Sequence, residues 1–119
     1  ALVIAADRVD IGDDILMAWD VTIMDNDSHP LKWEHRKNDV KRCYDDYKVD
    51  PQNFIKNKDW SNVAKKPIRI GNRSWIGFGV SILKGVSIGD EAVVGACSVV
   101  TKDVAAGATV AGNPAQPVR

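Results

Sequence analysis

Two histidines stand within one polar stretch of the 119-residue chain, His29 in Asp25-Asn26-Asp27-Ser28-His29-Pro30-Leu31 and His35 in Trp33-Glu34-His35-Arg36. Imidazole releases its proton near neutral pH, so either ring could serve as a general base. A base of this kind needs a carboxylate or carbonyl to fix its tautomer, and Asp25 and Asp27 are close enough in sequence to His29 to attempt it. Taken alone, a histidine in a polar loop is more often a solvated residue than a catalyst. The two cysteines, Cys43 and Cys97, lie far apart in no metal-ligand or redox spacing, which implies reduced thiols in a cytoplasmic protein. Two histidines in one loop also fall short of a three-histidine zinc site built from one chain.

The sequence that must position this loop has a six-residue period. Aliphatic residues recur at Ile70, Ile76, Ile82, Ile88, Val94 and Val100, with small or β-branched partners four positions later at Ser74, Val80, Val86, Ala92, Ser98 and Val104. Gly71, Gly77, Gly89 and Gly95 follow the aliphatic residue, where a sharply turning chain tolerates glycine best. The same register is present in Ile11 to Ile15, Met17 to Val21 and Ile23, with a degenerate start at Ala5 to Val9. A period of six matches neither an amphipathic helix nor a hairpin sheet. Three such hexapeptides make one triangular coil whose short strands stack at about 4.8 Å, giving an all-β left-handed parallel β-helix. The repeats supply roughly three to four coils, near the minimum for a solenoid, so stabilisation by oligomerisation or by further upstream coils is expected. The opening Ala1-Leu2-Val3, already inside repeat sequence and without methionine, suggests that an upstream segment precedes it.

Sixteen basic and sixteen acidic residues give zero formal net charge, so no broad basic field favours nucleic acid. No apolar run approaches the roughly 18 residues of a transmembrane helix, and a soluble protein is expected. Length implies one domain: first coils at 1–24, an excursion at 25–67, regular coils at 68–111 and a turn and tail at 112–119. The excursion is polar but carries Trp33, Tyr44, Tyr47, Phe54 and Trp60, which argues for a packed segment, with a short helix expected within Asp45 to Lys58.

These motifs together carry a resemblance. The His29-Pro30 loop, Glu34-x-Arg36-Lys37-Asn38, Trp75-Ile76-Gly77, Thr101-Lys102-Asp103 and Gly112-x-Pro114 resemble the hexapeptide-repeat acetyltransferases, in particular the galactoside and maltose O-acetyltransferases and polysaccharide O-acetyltransferases. The resemblance spans the chain outside residues 39 to 66. It implies an acetyl-CoA-dependent O-acetyltransferase acting on a sugar hydroxyl, without a metal, with His29 as general base and His35 as a loop residue. By the same resemblance Trp75 lines the active site, Ala96 contacts pantetheine through its backbone, and Thr101, Lys102 and Arg119 hold the nucleotide end of the cofactor. Asp25 and Asp27 are the candidates on the acceptor side, and the Gly77-Phe78 backbone is a candidate oxyanion donor. The family assembles as a homotrimer with active sites between neighbouring subunits. Lys32 and Trp33 replace a histidine-rich pair after the proline, Gln116 replaces a basic residue, and Ala6 stands where several relatives have an acidic acceptor ligand.

An N-acetyltransferase acting on an amino-sugar or drug is the nearest alternative, and shares the same histidine. A non-catalytic β-helix scaffold is a further alternative, although a scaffold has no need of the His-Pro loop, Trp75 and Thr101-Lys102 together.

Overall fold

Each aliphatic position of the repeat ends a very short strand. The computed structural model describes residues 1–118, and its strands in chain order are β1 (Leu2–Ile4), β2 (Val9–Ile11), β3 (Leu16–Met17), β4 (Thr22–Met24), β5 (Ile68–Ile70), β6 (Trp75–Ile76), β7 (Ser81–Ile82), β8 (Ser87–Ile88), β9 (Val93–Val94), β10 (Val99–Val100), β11 (Thr109–Gly112) and β12 (Ala115–Pro117). They form three sheets, ordered β1-β4-β7-β10, β2-β5-β8 and β3-β6-β9-β11-β12. Every pairing between these strands is parallel except the closing β11/β12 hairpin, which turns at Asn113-Pro114. Equivalent positions lie 18 residues apart between β5 and β10, as between Asn72 and Asp90, and 59 apart where the excursion intervenes, as between Asp13 and Asn72. The parallel sheets are consistent with a hexapeptide left-handed β-helix. The chain separates into two compact units, one of residues 1–26 with the chain from Lys65 onward and one of residues 27–64.

The interior of the first unit is the predicted register. Ile70, Ile76, Ile82, Ile88, Val94 and Val100 are all buried, and Val80, Val86, Ala92 and Val104 fill the space between them. Ser74 and Ser98 occupy the same inward position without stranding a polar group. Their hydroxyls donate to the Gly71 and Gly95 carbonyls at 2.7 and 2.6 Å. The first coil has a stacked neighbour on one side, so Ile11, in register with buried Ile70, stays exposed and Ile15 and Met17 are only partly covered, while Leu16 faces outward like its neighbour Trp75.

The repeat glycines serve a different purpose from the one expected. None of Gly71, Gly77, Gly89 and Gly95 has a positive φ; the left-handed residue comes two positions later, at Arg73, Gly79, Glu91 and Cys97. A Cβ on Gly77 would lie 2.7 Å from the Ala96 amide nitrogen and 3.0 Å from the Val94 carbonyl oxygen. Close stacking of successive coils, rather than turning, demands glycine there.

One corner is held by a carboxylate. Asp25 is fully buried and accepts hydrogen bonds from the consecutive N–H groups of Ala6, Asp7 and Arg8 at 2.7 to 2.8 Å, and from the Asn26 amide at 3.0 Å. Burial pushes its carboxyl up, but these donors outweigh burial and hold it below the usual carboxylate range. Beside it the Lys66 N–H donates to the Asp25 carbonyl, and Asn26 bridges to Lys65.

The second unit contains α1 (Trp33–Arg36) and α2 (Asp39–Val49). The long helix thus begins six residues before the expected Asp45 and ends at Asp50-Pro51, well short of Lys58. Its buried residues are Asp39 and Asp46, two turns apart on one face, so its inward stripe is acidic, while Val40, Cys43, Tyr44 and Tyr47 recur at helical spacing on an exposed face. The Asp46 carboxylate accepts from the backbone N–H and side-chain amide of Asn57 at 2.8 and 2.6 Å, anchoring the returning chain. No helix among the described residues is long and apolar enough to cross a membrane.

Candidate active site

His29 leaves a strained turn. Its N–H donates to the Asp27 carbonyl at 2.7 Å across Ser28, which has a φ of 66°, a γ-turn that ordinary residues seldom adopt. The Asp27 N–H donates to the Ala64 carbonyl at 2.9 Å, closing the base of the second unit. Beyond the turn, the Arg36 guanidinium donates to the Pro30 and Leu31 carbonyls at 3.1 and 3.0 Å, which explains an arginine in that motif.

The ring of His29 faces a carboxylate of the same unit. Asp39 Oδ2 lies 2.6 Å from Nδ1, with the histidine side chain 49% exposed and the aspartate 5% exposed. Lys58 Nζ stands 3.2 Å from the same nitrogen. Nδ1 has one hydrogen or one lone pair, so it cannot donate to Asp39 and accept from Lys58 together. The short contact to an ionised oxygen is the stronger, so Nδ1–H donates to Asp39 and the lone pair resides on Nε2. The other carboxylate oxygen, Oδ1, makes no hydrogen bond among the described residues, and the Arg42 guanidinium stands 3.6 Å from it. A half-exposed imidazole in this tautomer, backed by a buried carboxylate, is equipped to accept a proton from a hydroxyl.

The other expected residues divide. Asp25 is buried and its carboxylate is bonded to four donors, which hold a corner of the coil. Asp27 contributes backbone to the turn, and Asp39 rather than Asp27 faces the imidazole. His35 is exposed within α1. The Gly77 N–H is taken by the Val94 carbonyl at 2.9 Å and is no free oxyanion donor. Thr101 and Lys102 lie exposed after β10, and Arg119 lies outside the described residues.

Trp75 and Ala96 are brought together. Both line an apolar hollow of about 500 Å³ on the coils, with Trp19, Phe78, Gly77 and Gly95. Trp19 and Phe78 stack with ring centroids 5.4 Å apart and planes 6° from parallel. Trp19 was visible in the sequence as a repeat residue, but nothing there marked its stacking partner on another coil. Asp39 and Lys58 were likewise missed, since both lie in the segment where no motif matched.

The regular coils match a known repeat: residues 67–102 match the bacterial transferase hexapeptide (six repeats) family model. The chain is 37% identical over 111 residues to the galactoside O-acetyltransferase of Escherichia coli strain K12, covering 93% of this chain and 43% of that enzyme. A solved galactoside acetyltransferase in complex with coenzyme A superposes with a TM-score of 0.74 at 35% identity, over 98% of this chain and 47% of the other. A maltose O-acetyltransferase from Clostridium difficile 630 gives a TM-score of 0.68 at 31% identity, over 93% of this chain and 47% of that one. The chain belongs with the hexapeptide-repeat acetyltransferases and resembles the galactoside and maltose enzymes, spanning less than half of their length.

Proposed function

We propose that this protein is an acetyl-CoA-dependent O-acetyltransferase acting on a sugar hydroxyl, with His29 as general base. The observation that carries this reading is the 2.6 Å contact between His29 Nδ1 and Asp39, which leaves Nε2 able to take a proton. As the acceptor oxygen bonds to the acyl carbonyl carbon, Nε2 takes the hydroxyl proton. The carbon–sulfur bond of the thioester then breaks, and the imidazolium returns its proton to the departing thiolate. Asp39 stabilises the imidazolium that forms between these steps.

The hollow lined by Trp75 and Ala96 suits the thin pantetheine arm, whose amides can pair with the backbone of coil edges. Thr101 and Lys102 offer a hydroxyl and a cation to the phosphates, with Arg119 a further cation. Likeness to a galactoside acetyltransferase solved with coenzyme A supports the same cofactor here. A left-handed coil assembled as a homotrimer, with active sites between neighbouring subunits, completes the proposal. Titration of the purified protein with acetyl-CoA in a calorimeter tests it, followed by coenzyme A release in the presence of galactosides and maltose. Saturable binding and acceptor-dependent release are expected; a folded protein that binds no acetyl-CoA would be a scaffold.

A further inference from the structure

Lys58 lies outside every motif of the sequence, yet it stands against the His29 ring. The returning chain of the second unit fixes its place. Its N–H donates to the Ile55 carbonyl at 3.1 Å, the Asp59 carboxylate accepts from the Ser61 N–H and hydroxyl at 3.0 and 2.6 Å, and the Lys58 ammonium sits 4.9 Å from the centroid of the Trp60 ring. Held there, Nζ comes within 3.2 Å of Nδ1 of His29, the nitrogen that Asp39 Oδ2 meets at 2.6 Å. A carboxylate that close has a hydrogen between itself and the ring, so Nδ1 has no lone pair left for Lys58. What the ammonium exerts on the ring is therefore charge: it repels the imidazolium far more than the neutral imidazole. Asp39, 5% exposed, pulls in the opposite direction. Arg42 stands behind that carboxylate, 3.6 Å from Oδ1, and weakens its pull. Cys43, Tyr44 and Tyr47 of α2 line the hollow beside the ring as a thiol and two phenols, groups uncharged at neutral pH.

We propose that Lys58 is a positioning residue for acetyl transfer, whose ammonium offsets Asp39 so that the His29 ring is free to take the acceptor's proton and ready to give it up. The proposal rests on His29 acting as the base. A buried carboxylate alone favours the protonated ring, and a ring that already carries the proton accepts none. The base must also return what it takes. Once Nε2 holds the hydroxyl proton, the carbon–sulfur bond breaks with its electron pair leaving on sulfur, and repulsion from Lys58 favours transfer of the proton from Nε2 to that thiolate. An uncharged side chain of similar length would keep the packing on Trp60 and lose both effects.

The test reads the ring directly and through the reaction. Nitrogen-15 spectra of His29, assigned against a His35→Gln variant, are followed through pH in the parent, Lys58→Met and Lys58→Arg, all without acetyl-CoA. Lys58→Met is expected to raise the midpoint of the ring's titration by about one pH unit, roughly tenfold more imidazolium at a pH above the midpoint, and Lys58→Arg to keep the parent's curve. The acid limb of kcat/KM for coenzyme A release with a galactoside acceptor should move the same way, so that the loss in Lys58→Met is largest in acid and shrinks as pH rises. An unchanged midpoint in Lys58→Met overturns the proposal. An equal shift in both variants also overturns it, and would make the lysine a packing stem for Trp60. A loss of kcat/KM equal at every pH overturns it too, while leaving His29 as the base. A shifted midpoint in a protein that transfers no acetyl group upholds the effect of Lys58 on the ring and counts against the base reading instead.

Discussion

Asp39 meets Nδ1 of His29 at 2.6 Å across ten residues of sequence, and does so from the first turn of a helix whose buried residues are both aspartates. Removing the ring should remove the base: His29→Ala is expected to lower acetyl transfer by about two to four orders of magnitude with acetyl-CoA affinity largely kept. Asp39→Asn keeps the shape but can hold the wrong tautomer, so a loss of about 100-fold or more in kcat with little change in KM is expected. Steady-state kinetics by coenzyme A release measure both, and a His29→Ala variant as active as the parent would exclude the ring from the mechanism.

The cofactor assignment has its own test. Lys102 is exposed, so its pairing with phosphate is screened and Lys102→Ala should weaken coenzyme A binding by only about fivefold. If the contact is to the 3′-phosphate, dephospho-coenzyme A should bind the variant and the parent equally. Titration of both ligands into both proteins separates a phosphate contact from a surface lysine with no role.

The coils were legible because burial repeats: Ile70 to Val100 and their partners all face inward, so one period reports every core position. The reason for the glycines was not, because a clash between Gly77 and Ala96 is set by coils 18 residues apart in register and leaves no local mark beyond the glycine itself. His29 stood out through its motif, whereas its partner did not. Asp25 and Asp27 were nearer in sequence, but Asp25 is consumed by three backbone amides, and the partner is decided by how an irregular segment folds. The start of α2 was legible in the spacing of Val40, Cys43, Tyr44 and Tyr47, but that stripe lies exposed while Asp39 and Asp46 are buried, so reading the apolar face as the inward one would have turned the helix the wrong way.

Asp25 links stability to pH. Its carboxyl is held below the usual range in the folded protein, so its contribution is fully present above the ordinary aspartate pKa of about 3.9 and is lost as pH falls through the lower folded value. Thermal unfolding followed by circular dichroism should therefore show the parent's Tm dropping below about pH 4. Asp25→Ala, which strands the Ala6, Asp7 and Arg8 donors, should cost about 3 kcal/mol or more at neutral pH and flatten that acid limb. A variant with the parent's Tm at pH 7 would show that the three amides find other partners.

Gly77→Ala tests the stacking of the coils at the hollow itself. The added Cβ would meet the Ala96 nitrogen at 2.7 Å and the Val94 carbonyl oxygen at 3.0 Å, both backbone atoms of the next coil that no rotamer change can move. The Gly77 N–H also donates to that same Val94 carbonyl at 2.9 Å, so relief by separation would stretch a ladder hydrogen bond. Overpacking of this kind costs about 1–3 kcal/mol, read as a lower midpoint in urea with an unchanged slope. Because Gly77 and Ala96 both line the hollow assigned to pantetheine, the variant should also bind acetyl-CoA more weakly at temperatures where it remains folded. Lower stability with unaltered acetyl-CoA affinity would keep the stacking argument and move the cofactor arm away from this surface.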